Sequence, residues 1–317
     1  MIDNTKFSTA NKNLIRGKWN MPLIKFLSKK VNEKLIYIGL PSSDADDIAQ
    51  WLEHIKSVIA FQCREYGQYS KPTQTRELIL KLEEFLRQLE RQGKIDDFIV
   101  YDGYLEVVII KGFDNSPKEI EFRTDRFITL YNLDFCNDIA SPIEYIDKNG
   151  DTQKVYKFNA IQRLLEIQKS LSKISNKFIF FLTVHCSYEG KELQDFINDP
   201  PNEFIRDYIK KYLNLKGHKK NAEIVRLFVC NNIQTYFRAN SFSYHILPVI
   251  KYEGIKNTPL LHFAVLGVHS NPTAEGVANY QTLDEVIKQK LITINSEQFE
   301  NETIFDDEQH VDNTNPI

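Results

Sequence analysis

Two periods of apolar residues alternate along the chain. Unbroken apolar runs at Lys34–Gly39 (KLIYIG), Val58–Gln62 (VIAFQ), Phe98–Asp102 (FIVYD) and Lys177–Val184 (KFIFFLTV) read as strands. Runs this short and continuous are typical of strands covered on both faces. Between them the apolar residues recur at helical spacing. The clearest case spans Thr73 to Gly93, with Leu78, Leu82, Phe85, Leu86 and Leu89 on one side and Gly93 as a natural stop. Helices are also predicted over Asp44–Lys56, Phe158–Leu171, 202–214, 219–234 and 282–292. Ser43 with Asp46 three residues on forms a capping-box-like start for the first of these. Arg126–Phe135 (RFITLYNLDF) reads as a further strand ending in a polar turn. Leu105–Ile110 is one more apolar stretch, and 113–126 is polar and loop-like.

Strands alternating with helices imply a parallel sheet with helices on both faces. The alternation stops near the end. Phe242–Lys251 (FSYHILPVIK) and Leu260–Val268 (LLHFAVLGV) follow each other with only YEGIKNTP between them. Pro248 cannot donate to a ladder, so the first of these runs belongs at an edge or a bulge. The second is apolar almost throughout, as an inner strand should be.

A parallel sheet closing on such a hairpin resembles the class I S-adenosylmethionine-dependent methyltransferase fold. The resemblance implies an α/β, seven-stranded, mostly parallel doubly wound sheet of order 3-2-1-4-5-7-6, with strand 7 antiparallel and strand 6 at the edge. It implies one such domain over 34–294. Residues 1–33 are expected to be a basic N-terminal extension, with a short amphipathic helix in MPLIKFLSKKV. Residues 295–317 are expected to be an acidic, disordered tail.

Charge sharpens this division. The chain as a whole carries −3, which gives no general attraction to nucleic acid or membrane. Residues 1–35 hold eight Lys/Arg against two acids, residues 206–220 six against one, and residues 295–317 seven acids with no Lys/Arg. Cys63, Cys136, Cys186 and Cys230 are scattered, which gives no zinc-type spacing and suits a reducing compartment. The start is polar and no apolar run approaches 18 residues, so a cytoplasmic protein without a membrane span is expected.

Ligands of open α/β sheets bind beyond the carboxyl ends of the strands. The candidate site residues therefore follow each strand. Gly39-Leu40-Pro41-Ser42-Ser43 stands after strand 1, and the resemblance places the methionine part of S-adenosylmethionine against Gly39, Pro41 and Ser42. Where the family carries a ribose-binding acid after strand 2, this chain has Gln62, with Glu65 as a stand-in. Asp102 after strand 3 matches the acid that contacts the adenine amine. After strand 4, Asn132-Leu133-Asp134-Phe135 sits where amino-group methyltransferases carry an Asp/Asn-Pro-Pro-aromatic segment. The resemblance makes Asn132 and Asp134 acceptors for a target amine and Phe135 the ring that stacks on a base. The prolines are missing.

Asp44, Asp46 and Asp47 crowd the first helical turn, where they would repel a pyrophosphate. Neither GxGxxG nor GxxxxGK[ST] occurs, and there is no Gly-x-Ser-x-Gly elbow. NAD, P-loop nucleotides and hydrolase chemistry are thereby disfavoured, whereas S-adenosylmethionine carries no phosphate. His185 and Cys186 are adjacent on a strand and point to opposite faces, so they do not form a nucleophile–base pair. No metal is expected. Lys210, Lys211, Lys216, Lys219 and Lys220 interleave with Tyr208 and Tyr212, a composition that fits a nucleic-acid contact or, more plainly, a solvated helix face.

Two functions follow. One is S-adenosylmethionine-dependent methyl transfer to nucleic acid or another amine-bearing substrate. The other is a catalytically inactive, methyltransferase-like binding or regulatory subunit with a protein partner, in a bacterial multi-protein system such as antiphage defence. The single-glycine loop, the Gln in place of an acid and the absent prolines favour the second.

Overall fold

The computed structural model describes residues 9–62, 72–135, 138–147, 149–173, 175–270 and 281–294, the side chains of 72–76 apart. Glu65 and the acidic tail lie outside the described residues.

Four strands run parallel: β1 (Leu35–Gly39), β2 (Ile55–Gln62), β3 (Asp97–Asp102) and β4 (Leu130–Asp134). After the outlying hairpin β5 (Ile143–Ile146) and β6 (Thr152–Val155), β7 (Lys177–His185) joins the sheet parallel to β4. The closing strands are β8 (Phe242–Ile246), β9 (Ile250–Glu253), β10 (Pro259–His269) and the two-residue β11 (Ile292–Thr293). Their order across the sheet is β3-β2-β1-β4-β7-β10-β9-β11, with β8 also paired to β10. The long β10 is antiparallel to β7, β8 and β9. With β7 as the fifth strand, β10 as the seventh and β8 plus β9 as the sixth, this is the expected order 3-2-1-4-5-7-6. Pro248 falls in the gap that splits the sixth strand into two. Among the described residues β8 has no further strand outside it, whereas β9 is extended by the small parallel strand β11.

Both faces of the sheet are buried, and β1 shows why its sequence is apolar throughout. Ile36 and Ile38 join one core, and Leu35 and Tyr37 the other. The first core is covered by α5 (Leu105–Lys111), α6 (Lys157–Leu171), α7 (Lys191–Asn198), α8 (Glu203–Leu213), α9 (Gly217–Ala239) and α10 (Leu283–Lys288). The second is covered by α3 (Asp46–Trp51), α4 (Pro72–Arg91) and a helical stretch at the N-terminus. α4 ends as its sequence requires: Gly93 takes φ +64, and the Gly93 and Lys94 amides turn back to the carbonyls of Glu90 and Leu89.

Several elements depart from the pattern read in the sequence. α3 begins at Asp46 rather than Asp44, because Ala45 adopts a left-handed φ of 49° and no side chain caps the helix. The last turn to residue 54 is a 3-10 helix, and β2 already begins at Ile55. The apolar stretch after β3 is helix α5, closed by Gly112 at φ +85. The short helix α7 and the β5–β6 hairpin are not among the predicted elements.

The largest departure is at the N-terminus. α1 (Ala10–Leu14), a π-helical turn (Ile15–Asn20) and α2 (Met21–Val31) follow without a break. Ile15, Trp19, Leu23, Ile24 and Leu27 are buried in the second core, so this segment covers the sheet instead of extending from it. Its basic residues Lys18, Lys25, Lys29 and Lys30 lie on the exposed side, which is why the segment read as a charged appendage.

Ile24 is fully buried. Ile24→Ala is expected to destabilise the protein by about 2–5 kcal/mol, measured by urea unfolding. A loss near zero would mean that the helix does not pack on the sheet.

Candidate functional site

The ladder register sets the candidate residues along one rim. Gly39 lies opposite Ala60 on β2 and Asn132 on β4. Gln62 lies opposite Asp102, and Asp134 opposite Thr183 on β7. Four adjacent parallel strands thus bring Gly39, Gln62, Asp102 and Asp134 to their carboxyl ends, although no two of these strands are joined by a short connection.

Above β1 the space is occupied by the chain's own groups. The Tyr37 hydroxyl donates to Asp47 Oδ2 at 2.6 Å, and Asn132 Nδ2 donates to the same oxygen at 2.6 Å. Burial raises the Tyr37 phenol well above its ordinary range, and the neighbouring Asp47 carboxylate adds to the effect. Asp47 is 2% exposed, and its Oδ1 has no hydrogen-bond partner among the described residues. A Cβ on Gly39 would come within 2.4 Å of the Asn132 carbonyl and 2.6 Å of the Tyr37 hydroxyl. Gly39 is therefore required by internal packing.

The remaining cofactor candidates are also largely enclosed. Pro41, Gln62 and Asp102 are buried, and Ser42 is half-buried. The Asp102 amide donates to Asp114 Oδ2 at 3.2 Å, while its carbonyl accepts from Asn115 N at 2.7 Å. In this arrangement the buried Gly39, Gln62 and Asp102 do not present open polar groups to S-adenosylmethionine. A bound cofactor would need this rim to rearrange.

Asp134 holds an amine of its own chain. Lys12 Nζ on α1 lies 2.6 Å from Asp134 Oδ2, with the two side chains only 13% and 23% exposed. Asn11 Nδ2 donates to the Glu253 carbonyl at 2.9 Å, Arg16 approaches Asp46 at 3.7 Å, and the Trp51 indole donates to the Arg16 carbonyl at 3.2 Å. These contacts fix α1 and the π-helical turn over the ends of β4, β9 and α3. Phe135 is 3% exposed and packs into the first core.

The turn beyond Phe135 is held by Lys157, which the apolar pattern of α6 conceals. Its side chain is fully buried, and Nζ donates to the carbonyls of Asp138 at 2.7 Å and Ser141 at 3.0 Å. Glu106 Oε1 stands 4.0 Å away, and burial raises the Glu106 carboxyl. A second group missed in the sequence is Glu192, at the start of α7. Burial pushes it up to about 7, and its Oε2 has no hydrogen-bond partner among the described residues. It is a carboxyl that exchanges its proton near neutral pH. Nothing in GKELQDF distinguishes it from a solvated helix acid.

His185 and Cys186 do not act together. Burial lowers the His185 imidazole and pushes the Cys186 thiol up to about 12, away from thiolate chemistry. In the basic segment, Tyr212 is buried and Tyr208 donates to Asp284 Oδ1 at 3.1 Å. Lys210, Lys211, Lys216 and Lys219 are exposed, and Lys220 lies over the Tyr188 ring at 4.8 Å. The tyrosines therefore support the helix packing, and the lysines form its solvated side.

No family model and no curated protein matches this chain. Among solved structures it is similar to YcgJ from Bacillus subtilis, at 8% identity over 78% of this chain and 98% of that one, with a TM-score of 0.35. It is similar to a SAM-dependent methyltransferase from Methanosarcina mazei, at 8% identity over 75% and 93% of the two chains and a TM-score of 0.36. It is also similar to TYW2 from P. horikoshii, solved in complex with MeSAdo, at 10% identity over 85% and 67% and a TM-score of 0.36. Likeness this distant says nothing of activity, and the fold assignment rests on the strand order described above. No helix among the described residues is long and apolar enough to cross a membrane.

His262, on β10, anchors the N-terminal helix from below. With Asn20 Oδ1 as acceptor at 2.9 Å, Nε2 carries the proton, and Nδ1 accepts from the Thr183 hydroxyl at 2.9 Å. Burial pushes this imidazole down to about 4. The unfolded chain protonates His262 near pH 6.5 and the folded one only near 4, so stability falls as pH drops through that interval. The loss is on the order of 3 kcal/mol. Urea unfolding between pH 7 and 4 is expected to show that the advantage of the parent protein over His262→Gln shrinks with falling pH. A difference independent of pH would refute the neutral, buried imidazole.

Proposed function

We propose that this chain is a methyltransferase-type protein for an amine-bearing substrate, with its amine site held by its own N-terminal helix. The observation that carries this reading is the Lys12–Asp134 pair: the carboxylate at the end of β4 already accepts an ammonium at 2.6 Å. Asn132, the other proposed acceptor, donates its amide nitrogen to Asp47, which sets the orientation of its side chain. Transfer then requires α1 to leave the rim, so that an external amine replaces Lys12 at Asp134. A methyl donor such as S-adenosylmethionine would bind beside it, over β1 to β3, once the Tyr37–Asp47–Asn132 network there has also rearranged. The base amines of nucleic acid are the proposed substrate class. Lys210, Lys211, Lys216, Lys219 and Lys220 would attract its backbone through charge alone.

A second reading, a binding or regulatory subunit without catalysis, is favoured by the Tyr37–Asp47–Asn132 network, which fills the space over β1. Calorimetric titration with S-adenosylmethionine, followed by labelled-methyl transfer to single-stranded DNA and RNA, separates the two. The transfer reading expects cofactor binding below about 1 mM. It also expects transfer about tenfold or more faster in Lys12→Ala, because removing an internal competitor lifts an occupancy penalty. Asp134→Ala should abolish transfer. If neither the parent nor Lys12→Ala binds the cofactor, the transfer reading fails and the binding reading stands.

A further inference from the structure

The opposite end of the sheet carries a different kind of surface. A cleft of about 280 Å³ opens among the amino ends of β1, β2, β4 and β7 and the last turn of α2. Lys30, Lys34, Lys56 and Lys177 line it, and Glu33 is the only acid in its wall among the described residues. Glu33 is already paired with Lys56. Lys34 Nζ reaches only the Lys94 carbonyl, at 3.4 Å. Lys30 lies over the Phe26 ring at 5.4 Å, and Lys177 has no ion pair or side-chain hydrogen bond among the described residues.

Four lysines line this concavity, and a single carboxylate cannot neutralise them. Low-dielectric walls focus their field into the cleft. Phe127 also lines the cleft, half-buried and held edge-on against Phe178 with ring centroids 6.0 Å apart. A fixed aromatic ring beside uncompensated lysines is the combination that binds a base and its phosphate. The volume is at the small end for a ligand site, enough for part of a nucleotide and too small to enclose a larger cofactor.

We propose that this cleft binds the phosphate of a nucleotide, either free or within a single strand, with Lys30, Lys34 and Lys177 on the phosphate and Phe127 against the base. The site is remote from the carboxyl rim, and the proposal does not depend on methyl transfer. It also differs from the 206–220 segment, whose lysines lie on a helix surface rather than around a cleft.

Calorimetric titration of the full chain at low salt with ADP, and separately with an oligothymidylate of about 12 nucleotides, tests the proposal. Binding of at least one probe is expected. The Lys30→Gln/Lys177→Gln double variant should bind it about tenfold or more weakly, with the slope of log K against log salt reduced by about 2. Its circular dichroism should be unchanged, and Lys118→Gln/Lys154→Gln, which removes as much charge from exposed positions outside the cleft, should bind as the parent does. Phe127→Leu should weaken the same probe without changing the salt slope. Tighter binding of ADP identifies the free nucleotide as the source, and tighter binding of the oligonucleotide identifies the strand. The proposal is overturned if neither probe binds at about 50 mM salt, or if the Lys30/Lys177 double variant binds like the parent.

Discussion

The N-terminal helical stretch covers one face of the sheet, and the chemistry at both ends of the molecule depends on where it lies. Residues 10–31 extend roughly 30 Å at helical rise, enough to bring Lys12 to one end of the sheet and Lys30 to the other. Its apolar stripe, Ile15, Trp19, Leu23, Ile24 and Leu27, is buried against the sheet. Each such side chain contributes about 1.5–3 kcal/mol relative to exposure. Hydrophobic contact alone would let the helix slide. The Asn20–His262–Thr183 chain of hydrogen bonds prevents this, because shifting the helix would strand three buried polar groups in an apolar layer. With the register set at Asn20, Lys12 arrives at Asp134 and Lys30 at the opposite cleft.

At the carboxyl rim, low dielectric strengthens whatever pairs form. Asp134 and Lys12 are both largely shielded, so removing either one leaves an uncompensated charge. Asp47 shows the same logic without a cation: a buried carboxylate is kept by two donors, Tyr37 and Asn132, and one of its oxygens stays unmatched. Such an orphaned acceptor is costly.

The two ends of the sheet differ in sign and in degree of compensation. Asp44, Asp46, Asp47, Asp102 and Asp134 gather at the carboxyl ends and mostly find partners within the chain. Asp44 pairs with Lys81, and Asp46 approaches Arg16. At the amino ends the lysines outnumber their partners. Parallel strands give this separation a geometric basis, since every strand starts at one end and finishes at the other. A net charge near zero conceals the resulting asymmetry.

Periodicity carried most of the architecture. Runs such as KFIFFLTV are apolar at every position because both faces are covered, and the Leu repeat of α4 leaves one helical reading. Pro248 marked the outer strand because a missing amide is a local property. The N-terminal helix was misjudged for an equally local reason: its exposed lysines dominate the composition, while its stripe of five apolar residues is spread over 13 positions, from Ile15 to Leu27. The candidate residues after each strand were legible as a row, because parallel topology sends every strand end to the same rim. Their partners were not. Lys12 lies 122 positions from Asp134, and Asn20 lies 242 from His262. Pairings at that separation carry no periodic signal. By itself, then, the sequence determined which segments are strands and helices and which ends carry acids. Only the tertiary structure decided which charges meet and which are left facing a cleft, because electrostatic partners are chosen by distance in space, and burial determines how strongly they hold.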